Sequence, residues 1–321
     1  MTVLVTGGAG FIGSHVVDEL VRRGERVLVY DNLSTGFLRH IEDKISSGSA
    51  EVIQGDILDT KRLSEAMRGV SLVFHLAANA DVRGGKGNTQ VDIDQNILGT
   101  HSVLEAMRTS GARHIVFTSS ATVYGEPDLF PTPEAYAPLQ TSLYGASKLA
   151  AEGLIQAYGE YFQMRSHIFR FVSWIGERYS HGVVFDFVGK LLSNPSCLEI
   201  LGDGDQRKSY LHVEDGIRGI FIALEGITGR KNVINLGHVE YVDVRTLARV
   251  VCEEMELKDV EFRFSGGLRG WLGDSPFVHL DISRIEACGF SPRISIREGI
   301  RRTVRYLLAN RWILESRVRQ S

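Results

Sequence analysis

Tyr144 and Lys148 stand four residues apart in the run Tyr144-Gly145-Ala146-Ser147-Lys148, and residues at that spacing share one face of a helix. The pair is built to move a proton. A free phenol, with a pKa of about 10, ionises too weakly to serve as a base at neutral pH, and an ammonium beside it favours the tyrosinate. A solvated helix face produces the same spacing, so its place in the chain decides. It follows an N-terminal glycine loop and the hydroxyl cluster Thr118-Ser119-Ser120-Ala121-Thr122. Loop, hydroxyls, phenol and ammonium in that order describe a hydride-transfer site. Tyr144 would take the proton of an alcohol that a neighbouring hydroxyl holds, while Lys148 lowers the phenol's pKa and reaches the nicotinamide ribose.

The glycine loop is Thr6-Gly7-Gly8-Ala9-Gly10-Phe11-Ile12-Gly13, between an apolar run and an amphipathic stretch. Gly7 allows the tight turn, Gly10 lets the backbone approach a pyrophosphate, and Gly13 lets helix and strand pack closely. Phe11 and Ile12 belong to the same cofactor-facing turn. Asp31, 18 residues beyond Gly13, ends the second apolar run and is followed by Asn32. A carboxylate there accepts both adenosine ribose hydroxyls and repels a 2′-phosphate, which predicts NAD rather than NADP. Gly55-Asp56-Ile57 suits an adenine edge, although Asp56 would equally cap a turn. Leu76-Ala77-Ala78 leaves room beside the dinucleotide.

These residues need a scaffold, and the first half of the chain describes one. Val3-Leu4-Val5, Val27 to Tyr30, Glu51-Val52-Ile53, Leu72 to Leu76, His114 to Phe117 and Ser166 to Phe171 read as strands. Most are nearly continuous apolar runs, as in parallel strands covered on both faces. Helical patterns fill the gaps at about 11–23, 60–68, 92–109 and 142–163. The alternation predicts an α/β fold, a doubly wound parallel (Rossmann) sheet. After Phe171 the rhythm breaks. One helix is expected near 182–193, then a glycine turn at Gly202-Asp203-Gly204-Asp205, a strand end and helix over Tyr210 to Leu224, and a further sheet strand at Val233 to Leu236. Helical segments at 243–255, 282–287 and 295–310 follow, with a polar connection from Ser265 to Pro276. The expected division is a cofactor-binding part, 1–171 with 211–238, and a smaller, discontinuous substrate-binding part, 172–210 with 239–321. The arginines of the tail, Arg301 to Arg319, read as a solvated helix face.

Bulk composition closes off other classes. The formal net charge of -3 makes no electrostatic case for nucleic acid or an anionic membrane. No run approaches the ~18 apolar residues of a membrane span, and Thr2 to Gly7 reads as a strand rather than a targeting segment, so a reducing cytoplasm is the expected setting. Cys197, Cys252 and Cys288 are too few and too dispersed for a disulfide framework or a zinc site, and no metal is expected.

Taken together the motifs resemble the extended short-chain dehydrogenase/reductases, specifically their nucleotide-sugar epimerases and dehydratases. The resemblance rests on TGGAGFIGSH (6–15), DNLSTG (31–36), GDILD (55–59), HLAA (75–78), NILGT (96–100), SSATVYG (119–125), YGASK (144–148), GDGDQRKSYLHVED (202–215) and GGLRGWLGD (266–274). It implies NAD as cofactor and a UDP-sugar as substrate. It makes Ser120 the catalytic hydroxyl beside Tyr144 and Lys148, and gives Asn96 a structural place beside the active site among the cofactor-facing residues. It also implies a homodimer built from the helices near 92–109 and 142–163. The sugar nucleotide would lie near residues 173–210 and Arg269, with Ser120 and Thr122 at its reacting end. Within the family the chain is most similar to the UDP-N-acetylglucosamine 5,6-dehydratase branch of tunicamycin, and hence nucleoside antibiotic, biosynthesis.

Three departures qualify that likeness. The 4,6-dehydratases carry an Asp-Glu pair after the catalytic hydroxyl residue, where this chain has Ala121-Thr122. Ser173 stands where the family has an asparagine that touches the nucleotide-sugar. Lys208, preceded by Arg207, stands where the family has a phosphate-binding arginine, and lysine lacks the bidentate fork. The expected activity is accordingly redox-neutral 5,6-dehydration of UDP-N-acetylglucosamine: oxidation at carbon 4, loss of water across carbons 5 and 6, re-reduction. A 4-epimerase of UDP-glucose or UDP-N-acetylglucosamine uses the same residues. A silent NAD-binding regulator is the third reading, and retention of both Tyr144 and Lys148 speaks against it.

Overall fold

A seven-stranded parallel sheet carries the molecule, in a computed structural model that describes residues 1–318. Arg319 of the arginine-rich tail lies outside the described residues. The strands in chain order are β1 (Thr2–Thr6), β2 (Arg26–Asp31), β3 (Ala50–Gln54), β4 (Leu72–His75), β5 (His114–Ser120), β6 (Arg165–Phe171) and a seventh, Lys231–Leu236. Their spatial order is seventh-β6-β5-β4-β1-β2-β3. The order reverses at β1 and β4, and such switch points open the crevice in which doubly wound sheets bind ligands.

Alternation along the strands builds two cores. Val3, Val5, Val27, Val29, Phe74 and Phe169 face one layer, with Val16, Val17 and Leu20 of the helix Phe11–Arg22 and Ile217, Ile220 and Phe221 of the helix Val213–Gly226. Leu4, Leu28, Val73, Ile115, Phe117 and Ile168 face the other, against Leu63, Met67, Leu104, Met107 and Ile155. Burial on both faces explains why these strands read as unbroken apolar runs. The expected helices are present as Thr60–Ala66, Gly99–Ser110 and Leu143–Tyr161. The pattern expected at 92–109 is interrupted: a short helix, Gln90–Asp92, passes into a π-turn, Ile93–Leu98, before the regular helix begins.

Residues 172–210 and those after 239 add small sheets beside the main one. Ser173–Ile175 pairs with Tyr210–His212, Cys197–Ile200 with Glu261–Phe264, and Arg207–Lys208 lies between Val242–Asp243 and Phe277–Val278. The helices Val183–Ser193, Val244–Glu254 and Ile296–Ala309 pack on one another. Most of these strands are too short to show a period in the sequence. Among the described residues, no helix is long and apolar enough to cross a membrane.

Candidate active site

The carboxyl ends of β1, β2, β4 and β5 meet at the switch point, and the sequence-predicted residues gather there. Gly7 has φ +70°, and a Cβ on it would lie 2.7 Å from the Ala77 nitrogen. At Gly13 a Cβ would lie 2.0 Å from the Gly7 carbonyl oxygen, so only glycine lets the first helix sit this close to its own loop. The Cβ position of Gly10 is 3.2 Å from the same oxygen. Phe11 is buried, edge-on to Tyr179 with centroids 5.4 Å apart. These glycines make the close-approach cradle that a pyrophosphate needs at a helix N-terminus.

Asp31 is buried, and its carboxylate accepts from the Ala9 N–H at 2.9 Å and the Leu33 N–H at 2.8 Å. Burial pushes its pKa up, and the two N–H donors pull the other way. Each oxygen keeps a lone pair for a ribose hydroxyl. Asp56 accepts from the Asn32 amide and from the Leu58 N–H, both at 2.9 Å. It therefore does cap a turn, in a position tied to the segment after β2. Ile57 is buried, while Leu76, Ala77 and Ala78 are half-buried along the strand end.

Below this floor runs a chain of hydrogen bonds whose directions are fixed. The Thr100 hydroxyl donates to the Asn96 carbonyl at 2.6 Å, so it accepts from His75 Nε2 at 3.0 Å. His75 Nδ1 then accepts from the Thr6 hydroxyl at 2.8 Å, and Thr6 Oγ1 accepts the N–H groups of Leu76 and Ala77 at 3.2 Å. Burial, with the Lys148 charge adding to it, lowers the His75 pKa to about 3 and keeps the ring neutral.

The reacting end is built by the helix Leu143–Tyr161, capped by the Ser142 hydroxyl, which accepts the Gly145 N–H at 3.0 Å. Ser120 lies near enough to the Tyr144 phenol to favour its ionised form. Ser120 Oγ accepts from the Thr122 N–H at 3.2 Å and the Thr122 hydroxyl at 2.9 Å, which frees its own hydrogen for the phenol or a substrate oxygen. The expected lowering of the phenol pKa is not what the structure has. Burial and the charge of Asp92 push Tyr144 above its ordinary value, against the opposing influence of Ser120. Lys148 is itself depressed to about 7 by burial, with Glu152 and Asp92 holding it up. Burial thus weakens the positive charge that Lys148 offers its neighbour. Its ammonium lies 4.6 Å from the centre of the Phe117 ring.

Asn96 ties the π-turn to this helix: its amide donates to Ser147 Oγ at 2.9 Å, and its Oδ1 accepts the Asn79 N–H at 2.9 Å. Two carboxylates here escaped the sequence reading. Glu152, one turn beyond Lys148, is buried and accepts from Ser119 at 2.5 Å and from Arg170 at 2.7 Å. Asp92 is buried beneath the site. Their spacing to Lys148 and Asn96, four residues in each case, was the available signal.

The remaining substrate-side candidates lie on the segments after β6. Ser173 is exposed, opposite Tyr210 in the register of their small sheet. Adjacent strand residues point to opposite faces, and Arg207 and Lys208 separate accordingly. Arg207 stacks on Phe277 at 4.5 Å, whereas the Lys208 ammonium pairs with Asp274. Arg269, on the loop between Phe264 and Phe277, pairs with Glu126. Arg83, on the loop after β4, pairs with Asp186 at 3.2 Å. Among the described residues no cluster of side chains suits a metal ion.

Residues 3–237 match the NAD dependent epimerase/dehydratase family. The chain belongs to that family. A UDP-glucose 4-epimerase from Mycolicibacterium smegmatis is 33% identical, over 95% of this chain and 98% of its own length. The crystal structure of a UDP-glucose 4-epimerase from Thermotoga maritima with UDP-glucose superposes with a TM-score of 0.87 at 30% identity, covering 97% of this chain and 99% of that one. A dTDP-glucose 4,6-dehydratase from Streptomyces venezuelae, crystallised with NAD, superposes with a TM-score of 0.89 at 27% identity, covering 97% and 98%. An NAD-dependent enzyme of the nucleotide-sugar epimerase and dehydratase kind is therefore established, with NAD as its cofactor.

Proposed function

We propose that this enzyme binds a UDP-hexose, oxidises the carbon-4 hydroxyl and re-reduces the same carbon, so that the net reaction is 4-epimerisation of UDP-glucose or UDP-N-acetylglucosamine. The observation that carries this reading is the reacting end itself. Tyr144, Ser120 and Thr122 form a proton-transfer cluster, and Ala121-Thr122 leaves no carboxylate where elimination chemistry would use one. Epimerase relatives of matching length support it.

In this reading the glycine loop, Asp31, Asn32, Asp56 and Ile57 hold the adenosine half of NAD, and Leu76, Ala77, Ala78, Asn96, Tyr144 and Lys148 line the rest. NAD supplies a hydride acceptor and donor, and the positive charge of its oxidised ring. Ser120 holds the carbon-4 oxygen through its free hydrogen. Tyr144 takes the hydroxyl proton as carbon 4 becomes a ketone, and gives it back when the alcohol re-forms. Lys148 holds the ribose and the charge balance. Ser173, Lys208 and Arg269 face the nucleotide, with Arg207 behind them. Segments 1–171 and 211–238 form the cofactor part, and 172–210 with 239–321 the sugar-nucleotide part.

A second reading is 5,6-dehydration of UDP-N-acetylglucosamine, as in tunicamycin biosynthesis. The Thr122 hydroxyl favours it, because it lies 2.9 Å from Ser120 Oγ, within reach of a departing hydroxyl. Incubation with UDP-glucose and UDP-N-acetylglucosamine, followed by mass spectrometry and sugar analysis, decides. An unchanged mass with a new 4-epimer supports the first reading. Loss of one water supports the second, and no product from either sugar sinks both.

A homodimer is part of the proposal. Ile93, Leu98, Leu143, Tyr161 and Phe162 leave the helices near 92–110 and 143–162 with exposed apolar side chains. Light scattering at micromolar concentration should give twice the 35.6 kDa chain mass; the mass of one chain would refute pairing.

A further inference from the structure

We propose that Asp92 is a positioning residue of this site, a buried carboxylate whose one free oxygen supplies a negative field at both Tyr144 and Lys148. It rests on the reading of those two residues as the proton-handling pair.

Asp92 is 1% exposed. Its Oδ1 accepts from the Asn79 amide at 2.8 Å and the Asn96 amide at 3.3 Å. Its Oδ2 is buried and has no hydrogen-bond partner. A Cβ built on Gly85 would lie 3.4 Å from that oxygen and 3.3 Å from the Leu143 Cβ, so Gly85 and Leu143, the residue before Tyr144, wall it in. Leaving a carboxylate oxygen buried and unbonded is costly, and native proteins keep few such groups without a use.

The use follows from where the side chain is anchored. Asn96, which clamps Oδ1, also donates to Ser147, and the Ser147 hydroxyl donates to the Tyr144 carbonyl at 2.8 Å. The carboxylate is thereby locked to the helix that bears the phenol and the ammonium. Its charge acts on both, favouring the protonated form of each. The other titratable groups facing Lys148 are Glu152 on its own helix and the neutral His75 on β4. Glu152 is committed to Arg170 and Ser119, which leaves Asp92 as the carboxylate with an uncommitted oxygen.

The test reads Lys148 directly and needs no substrate. The NAD-bound enzyme, carrying 13C-labelled lysine, is titrated by NMR from about pH 5 to 9, with Lys148→Arg identifying the Lys148 signal. Asp92→Asn and Asp92→Ser remove the charge, Asp92→Glu keeps it, and Asp94→Asn removes a neighbouring charge that is bound to Gln90 instead. The Lys148 midpoint should fall by about one pH unit in the Asn and Ser variants and stay in place in the Glu and Asp94→Asn variants. A midpoint unmoved by loss of the Asp92 charge overturns the proposal, and so does an equal shift in Asp94→Asn. Because no sugar is present, failure of the UDP-hexose reading leaves this result standing.

Discussion

Gly145 and Thr122 touch with no room for a side chain: a Cβ on Gly145 would sit 2.6 Å from the Thr122 carbonyl oxygen. That closeness brings the start of the Tyr144 helix down onto the Ser120 loop. Gly145→Ala should push the helix outward and lengthen the Tyr144–Ser120 contact. Displacements near 1 Å cost about 100-fold in turnover, so a large loss is expected with NAD affinity kept. Steady-state assay beside NAD titration checks it, and a fully active variant would show that the approach is idle.

Tyr144→Phe removes the proposed proton acceptor while keeping the ring. Turnover should fall about 100- to 10,000-fold, the usual worth of a general acid–base group. Following NADH absorbance after adding UDP-sugar also shows whether oxidation at carbon 4 still starts.

Asp31→Asn keeps an acceptor for the Leu33 or Ala9 N–H but removes the charge that repels a 2′-phosphate. The preference for NAD over NADP should shrink about tenfold or more. Calorimetric titration with both cofactors measures it; an unchanged ratio would move the source of discrimination elsewhere.

Acid should loosen the fold through two buried histidines, His75 and His167, and the half-buried His114. Burial holds His75 and His114 at about 3 and His167 at about 4, below the ordinary 6.5. Their neutral forms are native, so the unfolded chain binds more protons as pH drops below 6.5. The stability they contribute is whole above 6.5 and is lost as pH falls towards 3 to 4. Urea melts across that window should show falling midpoints. Replacing His114, whose Nε2 lies 3.0 Å from His167 Nδ1, with Phe should flatten the fall.

Arg170 and Glu152 form a buried pair, 8% and 1% exposed, that also holds Tyr124 and Ser119. Removing one partner strands the other. Glu152→Gln should cost about 3–5 kcal/mol in denaturant unfolding, and a neutral result would show that water reaches the arginine.

Much of this architecture is legible in the sequence because two-sided burial leaves an unmistakable mark. Val27 to Tyr30 and Leu72 to Phe74 can only be covered strands. The loop glycines are legible for a related reason, since Gly13 tolerates no Cβ at all. The π-turn at Ile93–Leu98 is not, because one extra residue per turn barely disturbs an apolar periodicity. Two-residue strands such as Arg207–Lys208 have no period to read. Asp92 stayed hidden because a carboxylate in a helical stretch ordinarily faces water; its isolation from solvent exists only in three dimensions.

The last strand to reach the sheet, Lys231–Leu236, covers the open side of β6 some sixty residues after β6 itself is made. Until then the growing chain displays an unpaired row of amides and carbonyls along Arg165–Phe171, a template for any extended segment nearby. During synthesis the hazard ends only when residue 236 has cleared the ribosome. Truncation ahead of that point should therefore yield aggregates, however complete the cofactor loop.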